Sequence, residues 1–161
     1  MAGPLTAREV FRNPVHWLAY GFGAGLAPKA PGTAGTLVAL PVYLLVHAAG
    51  GWFYFGFTVG AFVIGIAICG YSARRMAIAD PSGVVWDEIV GYLITMAVVP
   101  YGVVWMAAGF VLFRLFDIWK PWPIRVLDRR IKGGFGIMLD DAVAGIFAAV
   151  LLGIASHVLK M

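Results

Sequence analysis

Charge is what this chain has least of. Of its 161 residues only 12% are Asp, Glu, Lys or Arg, while 61% are apolar. A soluble domain is typically about 45–50% apolar and about 25% charged, so the composition excludes an ordinary water-soluble domain and points to an integral membrane protein. The single cysteine, Cys69, lies in an apolar run, which excludes a disulfide framework and a Cys-x-x-Cys metal site. The three histidines, His16, His47 and His157, are scattered away from the acidic residues. There is no Asp-x-Asp pair to serve as an aspartyl nucleophile, and no Gly-x-x-x-x-Gly-Lys-[Ser/Thr] loop. No cleavable signal peptide is expected, because Met1 to Asn13 is polar and has no apolar core before a small-residue cleavage site. The net charge of +4 does not imply nucleic acid: the basic residues flank apolar runs, where anionic lipid is the natural partner.

What is present is a series of apolar runs separated by polar segments. A polar arm over residues 1–16 precedes the Gly/Pro-rich stretch Gly21 to Thr36, which is unsuited to one continuous helix. A helix is expected from near Thr33 to Ala49, ending at Gly50-Gly51, and a second over Trp52–Tyr71, since about 20 residues cross a bilayer. Ile89–Phe113 is interrupted by Pro100, which costs a helix hydrogen bond and clashes with the preceding turn, so two helices joined by a tight turn are expected. As a single crossing, Trp86–Phe116 would be about 46 Å long, too long for a core of about 30 Å. Ala142–Leu159 is the last run. The expectation is one domain over residues 1–161, an all-α membrane bundle of about five long helices with a short interfacial helix. That short helix is placed at Pro123–Lys132, where Ile124, Leu127 and Ile131 recur at helical spacing.

Charge sets the topology. Eleven of the twelve Lys and Arg fall in the N-terminal arm and its Gly/Pro loop, in Ser72–Glu88, or in Arg114–Lys132, and the turns at Gly50-Gly51 and Pro100-Tyr101 carry none. Five crossings put all three charged segments, and all eight carboxylates, on one face, which the positive-inside rule makes cytoplasmic.

The carboxylates fall into small groups. Asp87-Glu88 is expected to open the third helix and Asp140-Asp141 the last one, where the helix dipole alone favours acids. Asp117 sits at a helix C-terminus, where the dipole disfavours an anion, so it needs a cation such as Arg114 or Lys120, or a metal. An all-oxygen set of this kind, without His or Cys, suits a hard cation such as Mg²⁺. The candidate metal ligands are Asp80, Asp87, Glu88, Asp117, Asp140 and Asp141, with Asp87, Glu88, Asp117 and Asp141 as the candidate catalytic groups. Phosphate needs donors and positive charge. Lys29, Thr33 and Thr36 lie at a helix start with free backbone N–H groups, and Lys120 and Arg125 add charge.

Four stretches, GFGAGLAPKAPGTAGT, DPSGVVWDEIVGY, FRLFDIWKPWPIRVLDRR and GGFGIMLDDAVAG, together resemble the phosphatidylglycerophosphatase A family of bacterial inner-membrane lipid phosphatases. Lys29, Asp80, Asp87, Glu88, Asp117, Lys120, Asp140 and Asp141 stand at positions that match the family pattern. The resemblance implies Mg²⁺-dependent removal of the terminal phosphate of phosphatidylglycerophosphate, giving phosphatidylglycerol. Two other classes stay open on the residues alone. An ion-conducting protein would carry its acids at mid-depth, and a non-catalytic protein could bind anionic lipid through its basic segments.

Overall fold

The computed structural model describes residues 3–159, so the expectations for Met1-Ala2 and Lys160-Met161 lie outside the described residues. The described chain is all-helical. Two short helices, α1 (Ala7–Arg12) and α2 (Pro14–Ala19), lead into a 3₁₀ turn at Gly21–Leu26. Five longer helices follow, α3 (Pro31–Ala48), α4 (Gly51–Met76), α5 (Trp86–Met96), α6 (Val103–Trp119) and α8 (Gly133–Leu159), with the short α7 (Ile124–Arg130) between the last two.

Local chemistry accounts for the ends. Thr6 and Glu9 form a reciprocal capping box on α1, and the Asn13 side chain accepts from the Val15 N–H to start α2. The turn at Pro100 separates α5 from α6 as expected, and α7 falls within the stretch expected to lie in the interface. One boundary differs from expectation. The last helix begins at Gly133, so Asp140 and Asp141 lie two turns inside it rather than at its start. Glycine is a poor helix former, but here tertiary packing outweighs propensity. Gly134 lies against the α4 backbone at Ile66 and Gly70, and Gly136 against Ile131, where any side chain would collide. Small residues let helix backbones approach closely in a membrane bundle.

α8 packs against α4, α5, α6 and α7, and α5 sits between α3, α4, α6 and α8. α3, α4 and α8 are long and apolar enough to cross a membrane, and their outer faces expose Leu45, Phe55, Val63, Val150 and Ile154. The 11 residues of α5 reach only about 16 Å at 1.5 Å per residue, and the 17 of α6 about 25 Å. α5 therefore does not traverse a core of about 30 Å.

Its start is set deep. The Trp86 indole N–H donates to the Ala61 carbonyl, 2.9 Å away, near the middle of α4. The loop at residues 77–85 turns back from the end of α4 to reach that level. It is pinned by the Val85 N–H donating to the Ala19 carbonyl at 2.9 Å, and by Gly83 packed on Tyr20 and Gly25. At the other end, the His47 and Tyr101 rings stack at 5.1 Å, so the two uncharged turns share one end of the bundle. Contacts between polar segments, among them Arg75 to Glu9 and Lys120 to Asp128 and Asp140, lie toward the opposite end.

Candidate active site

Two glycines bring the site together. Gly91 on α5 and Gly145 on α8 face one another with no room for a Cβ between them, and Thr95 Oγ1 donates to the carbonyls of Gly91 (3.0 Å) and Gly145 (3.4 Å). The two helices run parallel. One turn toward their N-termini, the same register therefore sets Asp87-Glu88 of α5 beside Asp141 of α8. α6 runs antiparallel and lays Phe113 against Gly91. One turn further along α6, Asp117 reaches the same level and lies beside Asp141.

Oxygens of Asp87, Glu88 and Asp141 lie within 4.8 Å of one another. Asp87 and Asp141 are buried, and Glu88 is nearly so. Arg114 is the cation of this group. Its Nη1 is 3.7 Å from Glu88 Oε1, and it donates to Asp117 Oδ2. Of the two side-chain cations open to Asp117 from sequence, Arg114 and Lys120, the structure pairs it with Arg114. Of the four carboxylates only Glu88 and Asp117 are paired with this guanidinium, and Asp87 Oδ1, Glu88 Oε2 and Asp141 Oδ2 are buried without a hydrogen-bond partner. Buried charge is costly unless paired or metal-coordinating. An all-oxygen set with unsatisfied acceptors fits a hard divalent cation. Asp87 and Glu88 also lie in the first turn of α5, but the dipole contributes only about 0.3–1 kcal/mol at such a site. That is too little to hold four acids together.

The neighbouring residue on α8 points elsewhere. Asp140 accepts from Lys120 Nζ at 2.5 Å, and Lys120 also lies 3.5 Å from Asp128. Burial works against the Lys120 ammonium, but the hydrogen bond and charge of Asp140, with Asp128 behind it, outweigh that and hold its pKa above the ordinary lysine value. Lys120 caps α6 in a left-handed conformation (φ 45°), which turns the chain and aims its side chain at α8. Asp80 does not join the triad. It shares a small groove with Asp128, Lys132 and Asp140.

The Gly/Pro loop arrives from the other side. Ala30 (φ 48°) and Pro31 start α3, and Gly32 lies directly against the Glu88 carboxylate and the Arg114 guanidinium. Lys29, three residues earlier, is exposed, and Thr33 is partly buried. Thr36 is fully buried and donates to the Gly32 carbonyl at 2.9 Å, which places it in the body of α3. Arg125 Nη2 donates to the Trp119 carbonyl at 3.4 Å, and no contact joins it to the triad.

Reading the sequence left out Gly32 and Asp128, and took Arg114 only as an optional partner of Asp117. The i, i+3 spacing of Arg114 and Asp117 was the available signal. Cys69 and Arg75 stand at Cys-x5-Arg spacing, but α4 runs as helix through both. The thiol is buried and donates to Met138 Sδ at 3.8 Å, while Arg75 reaches out to Glu9, so they form no phosphate cradle.

The sequence profile of the phosphatidylglycerophosphatase A family matches residues 17–156. Phosphatidylglycerophosphatase A of Escherichia coli is 44% identical over 152 residues, covering 94% of this chain and 88% of that protein. The Haemophilus influenzae protein of the same name is 42% identical over 142 residues, covering 87% of each. A protein of Bacteroides thetaiotaomicron, provisionally named a phosphatidylinositol-3-phosphatase, is 37% identical over 146 residues, covering 86% of this chain and 91% of its own. No solved structure matches the chain significantly. A match over most of the chain, with relatives of comparable length, places this protein in the phosphatidylglycerophosphatase A family.

Proposed function

We propose that the protein is a Mg²⁺-dependent phosphatidylglycerophosphatase of the bacterial inner membrane, with its active site toward the cytoplasmic face. The observation that carries the reading is the buried group of Asp87, Glu88, Asp117 and Asp141 around one guanidinium, with three orphaned carboxylate oxygens. The names of the Escherichia coli and Haemophilus influenzae relatives supply the substrate.

Asp87, Glu88 and Asp141 would hold the cation, with Asp117 beside them and Asp140 behind. Bound there, Mg²⁺ would act as a Lewis acid on a phosphoryl oxygen and lower the pKa of a water. Lys29 and Lys120 bind the terminal phosphate and offset the charge that develops on the transferring phosphoryl group. Thr33 stands at the same helix start and donates to that phosphate. Of that group, the carboxylate left outside the coordination shell, Asp141 or Glu88, orients the attacking water and takes its proton. Water attacks phosphorus, the ester P–O bond breaks, and the departing alkoxide takes a proton from solvent, giving inorganic phosphate and the primary alcohol of phosphatidylglycerol. No phosphoenzyme forms. Arg114 fixes Glu88 and Asp117 relative to one another through the cycle. Basic residues outside the site, including Arg125, Arg129 and Arg130, draw the protein to anionic lipid.

The ion-conducting alternative required acids at depth, and Asp140-Asp141 lie two turns into α8. Depth therefore no longer separates the two readings. Family membership favours the phosphatase. The test is phosphate release from phosphatidylglycerophosphate by the full chain in mixed micelles, with Mg²⁺ and with chelator, and with phosphatidylinositol 3-phosphate as the comparison substrate. Release from phosphatidylglycerophosphate only when Mg²⁺ is present is expected. A folded protein that releases none refutes the proposal.

A further inference from the structure

Apart from the carboxylate group, the N-terminal helices build a basic recess that the reaction does not use. A cavity of about 430 Å³ lies between α1, α2 and the end of α4, lined by Leu5, Arg8, Glu9, Arg12, His16 and Arg75 among others. Three arginines and a single carboxylate line it. That carboxylate is already committed: Glu9 Oε2 accepts from the Thr6 N–H at 2.9 Å and from the Thr6 hydroxyl at 2.7 Å, while Oε1 lies 3.9 Å from Arg75. Arg8 and Arg12 form no salt bridge among the described residues.

The inner wall is rigid. His16 is buried, with its Nδ1 2.9 Å from Ser72 Oγ and its ring 5.3 Å from that of Tyr71. Burial first, then the Arg75 charge, lowers its pKa, so the imidazole is neutral and the positive charge belongs to the arginines. Phe11, Trp17 and Tyr71 expose their rings around the same helices. Aromatic side chains of this kind settle at the headgroup level of a bilayer, and basic recesses at that level attract anionic headgroups.

We propose that this recess binds the phosphodiester headgroup of an anionic phospholipid that is not the substrate, held by Arg8, Arg12 and Arg75. The lipid's acyl chains lie along the exposed aromatic rim, and its phosphate occupies the cavity. None of these residues belongs to the carboxylate site, so the inference stands apart from the catalytic reading.

The test measures retention of fluorescently labelled phosphatidylserine by the full chain in phosphatidylcholine nanodiscs, for wild type, Arg8→Gln/Arg12→Gln and Arg129→Gln/Arg130→Gln. Both arginines of the first pair are exposed on a surface helix, and glutamine is as good a helix former, so folding is preserved. The first variant removes two of the three arginines that line the recess and is expected to bind at least about tenfold more weakly, whereas Arg129 and Arg130 lie outside it. The second should change far less, and Arg8→Lys/Arg12→Lys should recover most of the binding. Equal losses in the two glutamine pairs would reduce the effect to general basic attraction and overturn the site. Displacement of the label by inorganic phosphate at concentrations matching those of unlabelled phosphatidylserine would overturn the lipid assignment.

Discussion

Gly32→Ala adds one methyl group where the loop preceding α3 meets the site. A Cβ at this position would stand 2.9 Å from Arg114 Nη1 and 3.1 Å from Nη2, and closer still to Glu88 Oε1. The backbone at Gly32 is helical, so the substitution imposes no conformational strain, and its effect comes only from displacing the two charged tips. Those tips are ends of flexible side chains, so the fold can yield. Overpacking of this kind costs about 1–3 kcal/mol, or roughly 3–9 °C in Tm at about 3 °C per kcal/mol for a chain of this size. The chemistry is less tolerant. A displacement near 1 Å of groups around a reacting centre costs about 100-fold, so phosphate release should fall by about two orders of magnitude while the protein remains folded. Gly60→Ala is the matched control. No heavy atom lies within 4 Å of its Cβ position, and replacing a helix-interior glycine with alanine is worth about 0.5–1 kcal/mol. That variant should be fully active and slightly more heat-stable. A Gly32→Ala protein with wild-type turnover would refute the claim that the Gly/Pro loop is held against Glu88 and Arg114 during catalysis.

Asp117→Asn should leave the fold intact, as judged by circular dichroism and gel filtration, and abolish activity; near-normal turnover would remove Asp117 from the site. Mg²⁺ at 100 times its Kd should stabilise the wild type against heat by about 2.7 kcal/mol. Asp141→Asn should lose that increment, yet be more stable than wild type in chelator because one repelling carboxylate is gone; a Mg²⁺-induced shift that survives in Asp141→Asn would exclude it as a ligand. Lys29→Ala should be severe, and Arg130→Ala mild and salt-sensitive; equal small effects in an activity titration would undo the distinction between phosphate binding and lipid attraction. Lys120→Gly and Lys120→Ala should both be inactive. Because φ is 45° at this position, the glycine variant should be about 1 kcal/mol the more stable of the two, and the reverse order in thermal melts would contradict the left-handed cap.

The helices were largely legible because each is an apolar run ending at a Gly, a Pro or a cluster of charge. The joining of α5 and α6 at Pro100 and the gathering of charge toward one end followed from the same pattern. The start of α8 was not legible. Gly133, Gly134 and Gly136 read as loop, and it is the packing of Gly134 on α4 and of Gly136 on Ile131 that holds this stretch in the helix. The separate directions of Asp140 and Asp141 were hidden for the same reason. Placed at a helix start the pair looks like one unit, but two turns inside a helix, neighbours point about 100° apart at 3.6 residues per turn. One then faces Lys120 and the other Asp87 and Glu88. Thr36 carried a hydroxyl in the right motif, and its use inside α3 depends on burial that composition does not reveal.

The shortness of α5 has a consequence for how this chain can change over time. The Gly50-Gly51 turn has open space around both glycines, and Gly102 meets only an ordinary contact with Trp105. Residues could be gained or lost there with little effect on the carboxylates. The return loop at residues 77–85 has no such freedom, since Val85 is bonded to Ala19 and Gly83 is wedged on Tyr20 and Gly25. A single inserted residue would rotate the start of α5 by about 100° and carry Asp87 and Glu88 away from Asp141. Length variation among descendants of this sequence should therefore collect at the uncharged end, and the return loop should keep its length wherever the activity is kept.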